Sequence, residues 1–136
     1  KVEFSIQKDE SILPIKIPCM VLQPIVENAV YHGIEQMAQD TTIYIKGYAE
    51  GDDCIIEITD AGKGMSEEEV DSLYKKLAGE IEISGGSGSG IGLKNVQDRI
   101  KMAFGEKYGL DIFSRQGCYT KIRVRIPLTV KEEASQ

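Results

Sequence analysis

A glycine-rich run lies about two thirds of the way along this chain, directly before a segment with the pattern of an amphipathic helix. Residues 85–96 read GGSGSGIGLKNV, with five glycines and two serines. The helices predicted on either side of the run each carry an apolar stripe that has to be buried in the same core. Because a structureless linker is uncommon inside such a domain, the run favours a fold in which a flexible loop serves a binding site. A solvated linker is the alternative.

The order of the other elements predicts an α+β fold. Period-two alternation of apolar and polar residues predicts strands, and apolar residues three and four apart predict helices. Since the strands come in hairpins, we expect a two-layer sandwich in which a mixed, mostly antiparallel sheet packs against about three helices. The predicted strands are residues 2–7, 41–50, 53–60 and a hairpin within 108–128, and the predicted helices are residues 18–34, 66–78 and 93–104.

Size and composition limit what the chain can do. With 136 residues, of which 41% are apolar, it is expected to form one domain with one core. The net charge of −6 disfavours a nucleic acid partner, which normally needs a basic face. Cys19, Cys54 and Cys118 are far apart and there is one histidine, so we expect reduced thiols in a cytoplasmic domain and no structural zinc site.

Polar side chains gather near the end of the first predicted helix, among apolar neighbours. A buried Asn28 amide needs a hydrogen bond or a ligand, because leaving it unpaired costs about 1–3 kcal/mol. Tyr31 and His32 share its helix face, and Glu27 lies about 100° round the helix. Amide and carboxylate oxygens suit Mg²⁺, which takes few protein ligands together with phosphate oxygens. A polar helix face that meets solvent is the alternative.

Asp60 ends a predicted strand and is in phase with Ile56 and Ile58, which we expect in the core. An inward carboxylate needs a donor, either an adenine amino group or a backbone N–H. Gly62 and Gly64 follow Asp60 and allow the backbone to approach a ligand closely. An ordinary turn that begins with Asp is the alternative.

Gly88, Gly90 and Gly92 give the glycine run the spacing GxGxG before a helix. Backbone N–H groups and a helix N-terminus together favour a bound anion. A dinucleotide-binding fold would need GxGxxG after the first strand of a βαβ unit, and a P-loop would need GxxxxGK followed by Ser or Thr; neither pattern is present. The spacing therefore favours a phosphate-binding loop of another kind.

Three segments taken in order carry a resemblance to a known family. LQPIVENAVYHGI resembles the N box, DAGKGM the G1 box and GSGSGIGLKNV the G2 box of the ATP-binding domain shared by gyrase, Hsp90, histidine kinases and MutL. Together with GIGLKNVQDRI and the closing YGLDI hairpin, the chain is most similar to sensor histidine kinases of the LytS/YesM type. The resemblance covers about residues 2–128.

This resemblance implies a Bergerat-type sandwich over residues 1–128, with ATP between the helices and a mobile lid at about residues 76–87. Residues 129–136 are expected to be a disordered tail. Asn28 would bind Mg²⁺ and Asp60 would accept the adenine amine. The nucleotide-binding residues that the resemblance implies are Asn28, Tyr31, His32, Asp60, Gly62, Gly64, Met65, Gly88, Gly90, Ile91, Gly92 and Leu93.

The chain departs from the family pattern at several positions. Ala61 replaces the usual Asn after the G1 aspartate, which removes a polar group near the nucleotide, and Lys63 replaces the usual Pro. Tyr31 stands where many kinases have a Lys near the phosphates. Pro24 stands where gyrase-like hydrolases carry their water-activating Glu, so we do not expect ATP hydrolysis by that route. Glu27 is the candidate catalytic residue, because a positioned carboxylate could polarise an acceptor imidazole.

The resemblance implies the catalytic domain of a two-component sensor histidine kinase, which binds ATP with Mg²⁺ and donates the γ-phosphoryl group to a histidine. The only histidine, His32, lies in the N box, so we expect the acceptor on a dimerisation domain outside this chain. The chain begins with Lys1 and is expected to be part of a longer, membrane-anchored homodimer with its kinase domain in the cytoplasm and a response regulator receiver domain as partner. Two alternatives stay open: an anti-sigma-factor-type serine kinase, and a degenerate, non-catalytic nucleotide-binding or interaction module.

Overall fold

The computed structural model describes residues 2–8, 23–29, 41–83 and 91–128, with the backbone alone for residues 2–8. Each predicted element has a counterpart in these ranges, so the α+β prediction is confirmed. None of the helices described is long and apolar enough to cross a membrane. The strands are β1 (Val2–Lys8), β2 (Thr41–Glu50), β3 (Asp53–Asp60), β4 (Gly109–Arg115) and β5 (Tyr119–Pro127), and the helices are α1 (residues 23–29), α2 (Glu67–Leu77) and α3 (Ile91–Phe104).

The described strands form one five-stranded sheet in the order β1-β2-β3-β5-β4. β1 pairs in parallel with β2, and the other three pairings are antiparallel, which confirms the mixed, mostly antiparallel sheet. β2 and β3 form a hairpin, since Glu50 pairs with Asp53 and only two residues lie between them. Gly51 in that turn has a φ of 61°, a conformation that costs glycine little.

One face of the sheet and the helices share a core. Along β5, Ile122, Val124 and Ile126 are buried, as their alternation predicts, while the charged residues between them lie on the other face. The helices cover the buried face with residues three or four apart on α1 and α3, as expected for amphipathic helices, while α2 adds one buried residue with the partly buried Val70 and Leu73. The helical core residues are Ile25 and Ala29 from α1, Leu77 from α2, and Leu93, Val96 and Ile100 from α3.

The N-terminus of α2 and the C-terminus of α3 have residues that are typical of helix ends. The Ser66 hydroxyl accepts a hydrogen bond from Glu69 N at 3.2 Å, and the Glu69 carboxylate accepts one from Ser66 N at 3.0 Å, which is the predicted capping box of α2. The bond from the Ser66 backbone lowers the pKa of Glu69. α3 ends at Phe104, and Gly105 follows it with a φ of 117°.

The other face of the sheet carries a charged network centred on Glu57, which is 8% exposed. The Tyr48 hydroxyl donates to its carboxylate at 2.8 Å and Arg123 Nε donates at 3.1 Å, while Lys121 Nζ lies 3.8 Å away. Burial by itself would raise the pKa of Glu57, but these donors and the two positive charges outweigh it and hold the pKa below its usual range. The buried carboxylate is therefore charged at neutral pH.

The outer edge of β4 is closed by side chains from α2 and α3. The Tyr74 hydroxyl accepts a hydrogen bond from Ile112 N at 2.7 Å and donates one to Ile112 O at 3.2 Å. Gln97 Oε1 accepts a bond from Leu110 N at 2.7 Å. An edge strand presents backbone groups that could pair with another chain. These two side chains occupy such groups and join the helical layer to the sheet.

Candidate functional site

The loop after β3 is built around Asp60. Strand parity directs Asp60 to the core face with Ile56 and Ile58, and its side chain is only 2% exposed, as predicted from the sequence. Its Oδ1 accepts a hydrogen bond from Gly62 N at 2.9 Å, two residues on. This local bond holds the start of the loop in a turn and fixes the orientation of the carboxylate.

The same loop is attached to the β4–β5 hairpin. Gly64 has a φ of 66°, and a Cβ atom there would overlap the carbonyl oxygens of Arg115 and Tyr119. Only glycine fits this position, because both the backbone conformation and the close approach exclude a side chain. On either side of it, Lys63 O accepts a bond from Gly117 N, and Met65 N donates to the Ser114 hydroxyl at 2.8 Å.

A cavity of about 380 Å³ opens between this loop and the helices. Its volume falls in the range of about 300–1,000 Å³ that is usual for small-molecule sites. Side chains from α1, α3 and the end of β3 meet in its wall, so the three sequence segments with box-like patterns converge on one space. The described residues that line it are Asn28, Asp60, Lys63, Gly64, Met65, Glu68, Glu69, Ser72, Leu73, Lys76, Leu93, Thr120 and Ile122.

Five of the predicted nucleotide-binding residues line the cavity: Asn28, Asp60, Gly64, Met65 and Leu93. Asn28 lies on α1 and is half-buried, between the buried Ile25 and Ala29 of the same helix. The amide that the sequence singled out therefore borders the core and meets the cavity.

Of the other seven predicted residues, three lie in the part of the chain that the structure describes and four lie outside it. Gly62 is buried in the turn after Asp60, and Gly92 lies in the first turn of α3, where a Cβ would contact Pro24 of α1 at 3.8 Å. Only the backbone of Ile91 is described. The remaining four, Tyr31, His32, Gly88 and Gly90, lie outside the described residues, as do Cys19 and the predicted tail at residues 129–136.

Glu27, the candidate catalytic residue, is exposed on α1 next to Asn28. Its Oε1 accepts a hydrogen bond from Gln23 Nε2 at 3.0 Å, one turn earlier in the helix. Glu27 is not among the described residues that line the cavity. Its side chain is therefore accessible at the surface of α1 and is not part of the cavity wall as described.

Several cavity residues escaped the sequence prediction. Thr120 pairs with Asp60 across β3 and β5 and is 7% exposed. It is in phase with the buried Ile122 and Val124, so the alternation of β5 was a signal that could have found it. Lys76, on the last turn of α2, gave no such signal, because its helix carries charge on several sides.

The lining of the cavity is partly apolar and partly charged. Leu73, Leu93 and Ile122 supply apolar surface, whereas Lys63 and Lys76 bring positive charge beside the carboxylates of Glu68 and Glu69. An apolar wall with a few oriented polar groups suits the flat ring of a base, and the two lysines are the positive groups of the lining that an anion could contact.

The chain matches one protein family over most of its length. The family described as histidine kinase-, DNA gyrase B-, and HSP90-like ATPase matches residues 18–130. The chain therefore belongs to this ATPase family, which confirms the predicted family and the prediction of ATP as its ligand.

Within that family, the chain is similar to sensor histidine kinases. YesM of Bacillus subtilis is 35% identical over 128 residues, which is 93% of this chain and 20% of YesM. BtsS of Escherichia coli is 28% identical over 93% of this chain and 20% of BtsS, and LytS of Streptococcus agalactiae is 29% identical over 88% of this chain and 19% of LytS. The chain thus spans about a fifth of the length of these relatives. The similarity to these relatives confirms the interpretation of this chain as a domain of the sensor histidine kinase type.

A solved structure has the same fold. The histidine kinase domain of the EL346 blue-light activated histidine kinase from Erythrobacter litoralis superposes with a TM-score of 0.60 at 16% identity. The match covers 98% of this chain and 54% of that chain. This likeness confirms the predicted architecture of a mixed sheet packed against helices.

Proposed function

We propose that this domain binds ATP with Mg²⁺ in the cavity between α1, α3 and the loop after β3, and that it supplies the γ-phosphoryl group to a histidine. The observation that carries the proposal is that Asn28 and Asp60, from different elements, line the same cavity. The acceptor histidine would lie on a dimerisation domain of a longer protein, of the kind that the sensor histidine kinase relatives indicate.

Asp60 is proposed to bind the adenine end. Its buried carboxylate would accept a hydrogen bond from the exocyclic amine, and Gly62 N helps to orient it. The apolar residues Leu73 and Ile122 would cover the faces of the ring. The turn at Gly64 keeps the backbone close enough to complete the pocket. A carboxylate is a good partner for an amine because it can only accept hydrogen bonds.

Asn28 is proposed to hold Mg²⁺ through its amide oxygen, together with phosphate oxygens of the nucleotide. Among the residues described, no three His, Cys, Asp or Glu side chains come together as a metal site. A single amide from the protein fits Mg²⁺, which keeps water and phosphate ligands, better than it fits zinc. When bound, the ion would supply charge neutralisation for the transferring phosphoryl group. Lys63 and Lys76 are the described cavity lysines that could add to it.

The protein's part in phosphoryl transfer is mainly to position the reacting groups. Glu27 is proposed to orient the acceptor imidazole, because it is exposed on α1 directly beside Asn28 and is held by Gln23. Pro24 precedes Asn28 by one helical turn and has no group that could activate water, which favours transfer to a protein acceptor over hydrolysis.

The remaining parts of the proposal concern the bounds of the domain, its lid and the longer protein. Residues 1–128 would form the ATP-binding domain with a lid at about residues 76–87, in which Gly88, Gly90 and Gly92 approach the phosphates. Of that lid, Lys76 and Leu77 lie in the last turn of α2. The full protein would be a membrane-anchored homodimer with this domain in the cytoplasm, and a response regulator receiver domain would take the phosphoryl group from the histidine.

Phosphate transfer tests this proposal directly. The longer gene product that contains this chain is incubated with ATP labelled in the γ-phosphate, as the wild type and as Glu27→Gln and Asn28→Ala. We expect a label that is lost in acid and kept in base, as a phosphohistidine requires. Asn28→Ala should abolish the label, whereas Glu27→Gln should slow labelling and leave ATP affinity within about twofold, because Glu27 lies outside the cavity wall.

An acid-stable label would instead support a serine kinase. Failure of the wild type to bind ATP and to become labelled would support a non-catalytic module. Equal loss of ATP affinity and of labelling rate in Glu27→Gln would show that Glu27 acts on the nucleotide rather than on the acceptor.

A further inference from the structure

We propose that Ser114 is a positioning residue that fixes the Thr120 hydroxyl as a hydrogen-bond acceptor toward the cavity, and so contributes to selection of a purine with an amino group at position 6. The inference rests on the proposed function, since it assumes that the base of a nucleotide occupies the cavity. It adds a source of base selectivity that lies outside the cavity wall.

The Ser114 hydroxyl has three polar neighbours among the residues that the structure describes. Met65 N, in the loop after Asp60, lies 2.8 Å away and donates to it. Tyr119 O lies 2.7 Å away and accepts from it. Thr120 Oγ1 lies 3.0 Å away, and by distance alone either oxygen of that pair could be the donor.

The number of hydrogens on each hydroxyl decides which oxygen is the donor in the bond between Ser114 and Thr120. A serine hydroxyl has one hydrogen and two lone pairs. A carbonyl oxygen cannot donate, so the single hydrogen of Ser114 must point to Tyr119 O at 2.7 Å. One lone pair takes the N–H of Met65, and the other is left for Thr120. Thr120 is therefore the donor in its bond to Ser114, and Ser114 is fully satisfied.

The consequence appears on the cavity side of Thr120. With its one hydrogen directed to Ser114, the Thr120 oxygen keeps only lone pairs to offer a ligand. Asp60 lies directly across β3 and β5 from it and lines the same cavity. The polar groups that these two residues would offer a base in the cavity are then both acceptors. They favour an adenine amine, which has two hydrogens, over the carbonyl oxygen that hypoxanthine carries at the same position.

Nucleotide selectivity separates this role from a merely structural one. ATP carries an amino group at position 6 and an unprotonated N1, whereas ITP carries a carbonyl at position 6 and a proton on N1, so the ratio of their dissociation constants reports the hydrogen-bond direction at this edge of the base. Ser114→Ala frees the Thr120 hydrogen to turn toward a ligand carbonyl. We expect the preference for ATP over ITP to narrow about tenfold, which corresponds to one hydrogen bond changing from mismatched to matched. Ser114→Thr keeps the hydroxyl and should keep the wild-type ratio.

Two further variants serve as controls for lost stability. Tyr74→Phe removes hydrogen bonds to Ile112 on the same strand, β4, without touching Thr120, and should lower the melting temperature while keeping the ratio. Thr120→Val keeps the bonds of Ser114 to Met65 and Tyr119 but removes the acceptor, and should narrow the ratio even if Ser114→Ala fails to fold.

The outcomes distinguish this inference from the proposed function. If the wild type binds ATP but the ratio is unchanged in Thr120→Val, or in a folded Ser114→Ala, the role of Ser114 is overturned and ATP binding stands. If Tyr74→Phe narrows the ratio as much as Ser114→Ala does, the effect is one of stability and the inference is equally overturned. If the wild type binds neither nucleotide at millimolar concentration, the proposed function fails, and this inference fails with it.

Discussion

Asp60 and Thr120 face each other across β3 and β5, and their side chains, 2% and 7% exposed, line the same cavity. On the same face, the next cross-strand pair is Ile58 with Ile122, which lies in the core. A polar pair therefore ends an otherwise apolar row, at the point where the cavity begins. The Asp60 carboxylate accepts a hydrogen bond from Gly62 N, and Thr120 Oγ1 is hydrogen-bonded to the Ser114 hydroxyl, so both side chains are held in fixed orientations at the cavity wall.

Replacing Asp60 by Asn should weaken ATP binding by about ten- to a hundredfold, as expected for a lost charge-assisted hydrogen bond. The amide can keep the bond from Gly62 N through its oxygen, but its nitrogen then meets the adenine amine as a second donor. GTP should lose less, because its position 6 carries a carbonyl. Titration calorimetry with both nucleotides checks this, and Asp52→Asn, in the exposed β2–β3 turn, is a matched control. Equal losses for ATP and GTP would contradict an adenine contact.

Gly64→Ala and Gly51→Ala form a second pair of variants. The two glycines have similar φ values, 66° and 61°, but only Gly64 packs against backbone, namely the carbonyls of Arg115 and Tyr119. Gly51→Ala should cost about 1 kcal/mol of unfolding free energy, the penalty of a left-handed alanine. Gly64→Ala should cost about 3 kcal/mol or more, because the loop must also leave the hairpin. Urea denaturation measures both, and similar costs would mean that the loop is not fixed by that contact.

Tyr74→Phe should destabilise the domain by about 1–3 kcal/mol, since it leaves the N–H and C=O of Ile112 without their partner. It should also increase self-association, because the edge of β4 becomes available for strand pairing. Tyr44→Phe is the control, as Tyr44 is 51% exposed on β2. Thermal unfolding and light scattering report the two effects. A Tyr74→Phe protein as stable as the control would show that the edge is held by other contacts.

Glu57 makes stability depend on pH. Because its pKa is lowered in the folded protein, its contribution is present above its unfolded pKa of about 4.3 and is lost as the pH falls through the lower folded pKa. Glu57→Gln should therefore cost about 2 kcal/mol at pH 7 and progressively less below about pH 4.

Denaturant unfolding of both proteins from pH 3 to pH 8 measures this difference. Glu50→Gln is the matched control, since its side chain is 56% exposed and its contact with Arg125 is 3.6 Å long, so it should change stability by less than about 0.5 kcal/mol at any pH. A cost for Glu57→Gln that is constant with pH would show that packing rather than charge accounts for it.

Periodicity predicted most of the fold, because each helix and strand buries one face and the pattern of apolar residues records which. The inward position of Asp60 follows from the parity of β3 in the same way. Periodicity could not predict the contacts between residues far apart in the sequence. Met65 and Ser114 are 49 residues apart, and Tyr74 and Ile112 are 38 residues apart. The residues that flank each member of such a pair in the sequence give no indication of which residue it will contact. The burial of Glu57 also escaped prediction, since the side chains of Tyr48 and Arg123 cover a face that alternation alone marks as exposed.

ATP binding by this chain with and without Mg²⁺, in the wild type and in Asn28→Ala, tests the central claim most directly. If Asn28 and Asp60 form one nucleotide site, a fluorescent ATP analogue should bind the wild type saturably, and Mg²⁺ should tighten that binding. In Asn28→Ala the effect of Mg²⁺ should disappear while the metal-free affinity stays within about threefold, because the base pocket is intact. Absence of binding at millimolar nucleotide, or an unchanged response to Mg²⁺ in Asn28→Ala, would contradict the account.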